Sequence, residues 1–281
     1  MADQKIAVCT GATAGLGQFV ALGLARAGYH TVLIVRDRAR GEATQRFITA
    51  RAKGANTELV VADLSSLAQA RQAGATITTK FPRVDVLINN AGLVTPRRQV
   101  TAEGHEMILA VNHLAPFVLS RALEPALTAG APSRIVNVGS TASDRATIDV
   151  TDLEGERSWN PLRAYGRSKL ALMMATFEHA RRLEGSAVSV NVVHPGVVAT
   201  TLGSVPGPIG WGWAALRPFM ITPERGADTP LFVALSPQAE GRTGLYWKKS
   251  KPARPNREAL DKALVRRLWD ETARLAGRAT G

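Results

Sequence analysis

The chain has 281 residues, of which 45% are hydrophobic, and this excludes disorder as the dominant state and suffices for one large α/β core. The formal net charge is +12, and more than half of it lies in 242–281, where eleven basic residues stand against four acidic ones. Aromatic residues make up only 5% of the chain and do not alternate with basic ones, so we expect a solvated basic face and no nucleic-acid partner.

The cysteine content and the N-terminal sequence bear on the cellular location. The single cysteine, Cys9, excludes an internal disulfide and fits a reducing compartment. No run of 18 uncharged apolar residues occurs, and the N-terminus lacks the hydrophobic core of a signal peptide. We therefore expect a cytoplasmic protein without a transmembrane anchor.

Short β-branched runs alternate with longer helical patterns, which predicts successive βαβ units. The predicted strands are 6–10, 31–35, 58–61, 84–89, 135–138, 188–193 and 245–247. The predicted helices are 17–27, 41–52, 67–80, 104–128, 162–183, 224–235 and 257 to about 276. Several strands are apolar without alternation, as in sheets that helices cover on both faces. The pattern predicts a single-domain α/β protein over 1–281, with a Rossmann-type, doubly wound parallel sheet.

Residues 201–223 interrupt this alternation. They include four prolines and four glycines, together with the bulky side chains of Trp211, Trp213, Phe219 and Met220. Such a composition predicts a long irregular excursion and not an element of the sheet.

The first predicted strand runs into a glycine-rich turn, Thr10-Gly11-Ala12-Thr13-Ala14-Gly15-Leu16-Gly17, that opens a helix. Glycines let the backbone approach a pyrophosphate, and the helix N-terminus offers free N–H groups to its oxygens. An ordinary strand–helix turn remains the alternative. The candidate phosphate-binding residues are Gly11, Thr13, Gly15, Leu16 and Gly17.

Polar motifs recur after the later strands. Asn89-Asn90-Ala91-Gly92 ends the fourth strand, and Asn112 lies in the next helix. Ser140 follows the fifth strand, and Tyr165-Gly166-Arg167-Ser168-Lys169 begins another helix. With these motifs in this order, the sequence resembles the short-chain dehydrogenase/reductase family over nearly its whole length. The stretches 111–117, 194–198 and 266–269 are similar to the retinol-dehydrogenase-like branch.

The spacing of Tyr165 and Lys169 has a physical reason of its own. Residues four apart share a helix face, so the ammonium of Lys169 can lie near the phenol of Tyr165. A free tyrosine has a pKa near 10, and a nearby cation favours its phenolate. We therefore expect Lys169 to lower the pKa of Tyr165, which then acts as a proton donor or base. A buried structural phenol is the alternative.

The resemblance implies roles for two further residues. Ser140 would hydrogen-bond the substrate oxygen, and Asn112 would hold a water molecule that links Lys169 to solvent. The implied catalytic set is Asn112, Ser140, Tyr165 and Lys169.

The choice of cofactor depends on the end of the second strand, where an acid binds the ribose of NAD and an arginine accepts the extra phosphate of NADP. The sequence offers both, as Val35-Arg36-Asp37-Arg38. The resemblance places Arg36 at the phosphate and Asp37 as a helix N-cap, and Arg40 adds positive charge. We expect NADP(H) to be preferred; NAD(H), with these arginines as plain surface residues, is the alternative.

The resemblance implies further cofactor contacts. Asp63 and Leu64 would lie at the adenine, although a turn-capping aspartate is an equally simple reading of Asp63. The other implied contacts are Asn90, Ala91, Gly92, Tyr165, Lys169, Pro195, Gly196, Val198 and Thr200. Residues 201–223 occupy the substrate-loop position, with apolar side chains that suit a hydrophobic substrate or that simply pack into the core.

Together these features predict an oxidoreductase that transfers hydride between NADP(H) and a hydrophobic alcohol, aldehyde or ketone. An NAD-dependent alcohol dehydrogenase and a non-catalytic dinucleotide-binding protein are the alternatives. The five histidines show no metal-ligand spacing, so we expect no metal. The family resemblance leaves a homo-oligomer open.

Overall fold

The computed structural model describes residues 4–198 and 220–277. Its strands are β1 (Ile6–Thr10), β2 (His30–Val35), β3 (Thr57–Val61), β4 (Val86–Asn89), β5 (Ser133–Val138), β6 (Val188–His194), β7 (Tyr246–Lys248) and β8 (Lys251–Ala253). They form one sheet in the order β3-β2-β1-β4-β5-β6-β7-β8. Neighbouring strands run parallel from β3 to β7, and β8 is antiparallel to β7.

Helices connect the strands. They are α1 (Gly15–Arg26), α2 (Arg38–Thr49), α3 (Leu67–Lys80), α4 (Met107–Leu109), α5 (Ala115–Ala129), α6 (Pro161–Arg182), α7 (Pro223–Gly226), α8 (Asp228–Leu235) and α9 (Lys262–Ala276). A π-helical turn, Ala110–Leu114, joins α4 to α5. Within the described ranges, no helix has the length and apolarity needed to cross a membrane.

Alternate residues of the central strands pack on opposite faces of the sheet. In β1, Ala7 and Cys9 belong to a core cluster with α1, α2 and α8. Val8 belongs to another cluster, built with α3, α5 and the end of α6. Side chains alternate in direction along a strand, so a sheet with two covered faces needs apolar residues at consecutive positions. The predicted doubly wound fold is confirmed.

The prediction of one continuous helix over 104–128 was wrong at its start. The backbone N–H of Thr101 donates to the carbonyl of His105, and Val100 pairs with Glu106 in an isolated bridge, so this segment forms a turn. Glu106 then caps α4 by accepting from the backbone N–H of Leu109 at 2.8 Å. The residues just before Glu106 were assigned to the helix because the sequence pattern continues through them. The capping residue, Glu106, marks where the helix begins.

Two differences concern the C-terminal part. The sequence prediction missed β8, whose three residues include a proline and are too few to produce a pattern. The last helix begins at Lys262, not at 257, because Asp261 caps it by accepting from the backbone N–H groups of Ala263 and Leu264. A separate 3₁₀ turn, Glu258–Leu260, precedes it.

Candidate active site

The glycine-rich turn between β1 and α1 is held against the end of β4. Gly11 and Gly15 have φ values of +66° and +54°, which favour glycine. A Cβ at Gly11 would lie 2.8 Å from the Cα of Ala91. The side chain of Asn90 donates to the carbonyls of Thr10 at 3.0 Å and Gly11 at 3.1 Å. Asn90 therefore holds the turn by hydrogen bonds to its backbone, and Ala91 leaves no room for a side chain at Gly11.

The N-terminus of α1 differs from those of its neighbours. Its N-cap residue, Ala14, has no side chain that can accept a hydrogen bond. In contrast, Asp37 caps α2 and Ser66 caps α3. The first N–H groups of α1 are therefore left for an external acceptor, and the helix dipole favours a negative one. With Thr13 and Leu16 in the same turn, these residues fit the pyrophosphate of a dinucleotide.

Asn112 lies in the π-helical turn and is fully buried. Its side-chain oxygen accepts from the backbone N–H of Leu93 at 2.8 Å, and its amide donates to the Leu93 carbonyl at 3.0 Å and the Ser168 hydroxyl at 3.1 Å. A Cβ at Gly92 would lie 3.3 Å from both the Oδ1 of Asn112 and the Nζ of Lys169. Asn112 and Lys169 thus flank Gly92.

Ser140 and Tyr165 meet where β5 ends. The Ser140 hydroxyl is close enough to the phenol of Tyr165 to lower its pKa, and Ser140 accepts from the backbone N–H of Ala142 at 3.2 Å. Gly166 makes this approach possible, because a Cβ there would lie 3.0 Å from the carbonyl oxygen of Ala142. The Nζ of Lys169 lies 6.0 Å from the centre of the Tyr165 ring.

The expected electrostatic effect of Lys169 on Tyr165 is not what the structure shows. Burial raises the pKa of Tyr165 above its usual value near 10, and the neighbouring Ser140 hydroxyl offsets only part of this. Burial also lowers the pKa of Lys169 to about 8, and its ammonium donates to the carbonyl of Val138 at 2.8 Å. Sequence spacing places the two groups on one helix face, but it does not report how deeply both are buried.

The end of β2 is exposed. Asp37 accepts from the backbone N–H of Arg40 at 2.8 Å, which confirms its predicted role as a helix cap. Arg36, Arg38 and Arg40 are exposed, and their side chains have no acidic partner within 4.0 Å in the described part of the chain. Three guanidinium groups are therefore available at the position expected for the 2′-phosphate.

At the end of β3, Asp63 accepts from the backbone N–H of Ser65 at 2.9 Å. This hydrogen bond confirms the turn-capping reading, and the adenine contact of Asp63 stays a prediction. Leu64 follows it and is half-buried.

The residues after β6 lie partly outside the described ranges. Gly196 has a φ of +95°, and a Cβ there would lie 2.5 Å from the side chain of Ile221. Pro195 is half-buried, and Val198 is buried and bridges Ile221. Thr200, Trp211, Trp213 and Phe219 fall in 199–219, outside the described residues, whereas Met220 is described and half-buried.

Several polar residues of this region escaped sequence reasoning. The Thr10 hydroxyl accepts from the backbone N–H groups of Asn90 and Ala91, both at 3.0 Å. Asp144 accepts from Tyr246 at 3.1 Å and from Lys248 at 2.6 Å. These partners are 80 or more residues apart, so only Thr10, as the last residue before the glycine turn, carried any signal. No group of three or more potential metal ligands occurs in the described residues.

Comparison with known proteins places this geometry in a family. The short chain dehydrogenase family model matches residues 5–205. Human retinol dehydrogenase 13 is 39% identical over 280 residues, which cover 97% of this chain and 85% of the relative. The resemblance to the retinol-dehydrogenase-like branch is confirmed by this match.

Solved structures show the same fold. An uncharacterised protein from Mycobacterium paratuberculosis superposes with a TM-score of 0.80 at 28% identity, over 99% of this chain and 95% of the other. The NADP active-site complex of Pseudomonas aeruginosa RhlG has a TM-score of 0.70 at 28% identity, over 87% and 94% of the two chains.

Proposed function

Because the chain belongs to the short-chain dehydrogenase family, as an oxidoreductase that acts on alcohol or carbonyl groups, we propose that it transfers hydride between NADP(H) and a hydrophobic alcohol, aldehyde or ketone. Asn112, Ser140, Tyr165 and Lys169 form the proposed proton-transfer site. The observation that carries this proposal is that α6 brings the phenol of Tyr165 beside Ser140 and places the Nζ of Lys169 6.0 Å from the centre of the Tyr165 ring.

In this proposal the bound nicotinamide supplies or accepts hydride at the reacting carbon. Tyr165 donates its phenolic proton to the carbonyl oxygen during reduction, and Ser140 hydrogen-bonds the same oxygen. Asn112 holds the segment around Gly92 against Lys169, whose ammonium lies 6.0 Å from the centre of the Tyr165 ring. Burial raises the pKa of Tyr165, so the phenol carries its proton at neutral pH and can donate it.

The preference for NADP(H) is proposed from the charge at the end of β2. The 2′-phosphate carries nearly two negative charges, and a guanidinium binds such a group through charge-assisted hydrogen bonds. Arg36 would supply one, and Arg40 would add positive charge beside it. Asp37 is engaged as a helix cap, which supports this reading over one in which its carboxylate binds a ribose. RhlG, whose complex contains NADP, is consistent with this choice.

The remaining cofactor contacts are proposed on the same basis. The turn from Gly11 to Gly17 would bind the pyrophosphate, and Asp63 with Leu64 would lie at the adenine. The proposed nicotinamide side comprises Asn90, Ala91, Gly92, Tyr165, Lys169, Pro195, Gly196, Val198 and Thr200.

The substrate class is proposed as hydrophobic. The relative with 39% identity is named for retinol, a long apolar alcohol, and 201–223 is rich in apolar side chains. We propose that this segment lines the substrate within one domain spanning 1–281. A cytoplasmic location and a homo-oligomeric state stay predictions.

A substrate panel tests the proposed function. Oxidation of NADPH and NADH is followed with aldehydes and ketones of graded apolar size, each beside a charged analogue of similar length, with the Tyr165→Phe variant as a blank. We expect NADPH-dependent turnover that rises with apolar size. If both cofactors bind but no compound is reduced, and no matching alcohol is oxidised, the chain is a non-catalytic dinucleotide-binding protein.

A further inference from the structure

The π-helical turn that carries Asn112 also carries His113, and the two side chains contact different parts of the molecule. Asn112 bonds to Leu93 and Ser168 near the candidate catalytic groups. The Nε2 of His113 is hydrogen-bonded to the hydroxyl of Thr272 on α9, at 2.8 Å and across 159 positions of sequence. A rotation of the turn about its axis would therefore move both groups together.

The hydrogen bond has a defined direction. The Thr272 hydroxyl donates to the carbonyl of Leu268 at 2.7 Å, so it accepts from the Nε2–H of His113. Both residues are fully buried, and burial lowers the pKa of His113 to about 3. The ring is thus neutral near pH 7, with its proton on the nitrogen that faces Thr272.

Helix α9 is anchored independently of this bond. Trp269 packs edge-on against Phe117 of α5, with ring centres 4.8 Å apart, and lies 5.5 Å from the ring of His179 on α6. The guanidinium of Arg182 lies 4.8 Å above the same indole. Arg71 of α3 donates to the carbonyl of Ala276 at 2.9 Å. These contacts make α9 a fixed support to which the turn is attached.

We propose that His113 is a positioning residue for the reaction, and that its hydrogen bond to Thr272 lets α9 fix the rotation of the π-helical turn and with it the position of Asn112. π-Helical turns are rare and hold an extra residue, so surrounding contacts must select one arrangement. The bond to Thr272 is such a contact, and it restrains the turn at the residue next to Asn112. This inference rests on the proposed function of Asn112.

Thr272 offers a matched test, since Thr176 on α6 has the same bonding pattern. Thr176 is also buried, donates to the carbonyl four residues before it and accepts one side-chain N–H, from Asn137 at 2.9 Å. We expect Thr272→Val to lower kcat about tenfold with a KM for NADPH within about twofold of wild type. Thr176→Val should lower the melting temperature by a similar amount and kcat by less than about threefold, and Thr272→Ser should restore kcat.

Equal kcat values for the two valine variants, or no recovery in Thr272→Ser, would overturn the proposal. Nitrogen NMR of the wild-type protein labelled at histidine provides a second test that needs no variant and no turnover. We expect His113 to show the Nε2–H tautomer and no titration between pH 5 and 8. An Nδ1–H tautomer, or titration near the usual pKa of about 6.5, would overturn the inference whether or not the proposed activity is found.

Discussion

At the carboxyl ends of β1 and β2, the candidate cofactor groups are backbone amides and exposed arginines. Near the ends of β4 and β5, the candidate catalytic residues Asn112 and Lys169 are buried and hydrogen-bonded to their neighbours. Arg36 has no acidic partner among the described residues. Lys169, in contrast, is bound to the Val138 carbonyl and has a shifted pKa.

This difference decides what a substitution does in each region. An exposed arginine interacts mainly with solvent, so its removal changes a ligand contact and leaves the fold intact. A buried polar group has partners that its removal leaves unsatisfied, and its protonation depends on its surroundings. Changes near β4 and β5 should therefore alter turnover and stability, and changes near β2 should alter affinity for one cofactor.

The largest expected effect is that of Tyr165→Phe. Loss of the phenolic proton should lower turnover by at least about 100-fold, the usual contribution of a general acid. The dissociation constant for NADPH should stay within about threefold, because the phenol does not hold the phosphates. Single-turnover reduction of an accepted aldehyde and fluorescence titration of NADPH measure the two quantities. A variant with more than a tenth of wild-type turnover would exclude Tyr165 as the acid.

The second prediction concerns Lys169 and the pH dependence of stability. Its pKa is about 8 in the folded protein and near 10.5 when unfolded. Between these pH values the unfolded chain binds more protons, so the free energy of unfolding rises with pH. Below pH 8 both states carry the proton, and the cost of burying the charge is fully present.

We expect wild type to gain about 2 to 3 kcal/mol relative to Lys169→Met between pH 8 and 10.5. Urea unfolding of both cofactor-free proteins across this range measures the difference. Subtracting the stability of the variant from that of wild type cancels the contribution of all other titrating groups. Parallel stability curves would show that Lys169 keeps an ordinary pKa.

The third prediction concerns the exposed arginines at the end of β2. Arg36→Ala should weaken NADPH binding about 10- to 100-fold, because hydrogen bonds between charged groups contribute about 1.5 to 3 kcal/mol. Affinity for NADH should change by less than about twofold. Titrations of both cofactors, with Arg38→Ala and Arg40→Ala in parallel, measure this preference. If only Arg38→Ala or Arg40→Ala loses the preference for NADPH, the role passes to that arginine. Equal affinities for NADPH and NADH in wild type would contradict the proposed preference for NADP(H).

The smallest effect is expected at Asp37. Asp37→Ala should lower the free energy of unfolding by about 1 kcal/mol through loss of the cap of α2, whereas Asp37→Ser, which keeps an acceptor oxygen, should cost less. Neither variant should change the affinity for NADH. Thermal unfolding and NADH titration check both expectations. A tenfold loss of NADH affinity in Asp37→Ser would identify Asp37 as the ribose-binding acid of an NAD-dependent enzyme.

The doubly wound sheet, the glycine turn and the cap at Asp37 were all predictable from sequence. Each depends on residues close together in the chain: consecutive apolar positions, glycines in a strand–helix turn, or an aspartate three residues before the N–H it accepts from. Local chemistry of this kind leads to the same structure in most surroundings. The position of Tyr165 on one face with Lys169 follows from the same reasoning.

The tertiary structure alone decided the protonation of the site and the support of Asn112. The pKa values of Tyr165 and Lys169 depend on burial by elements that spacing does not report. The π-helical turn is held from α9, by a residue 159 positions away from His113. Desolvation and hydrogen bonds between distant segments exist only after the chain has packed, and so they leave no local pattern in the sequence.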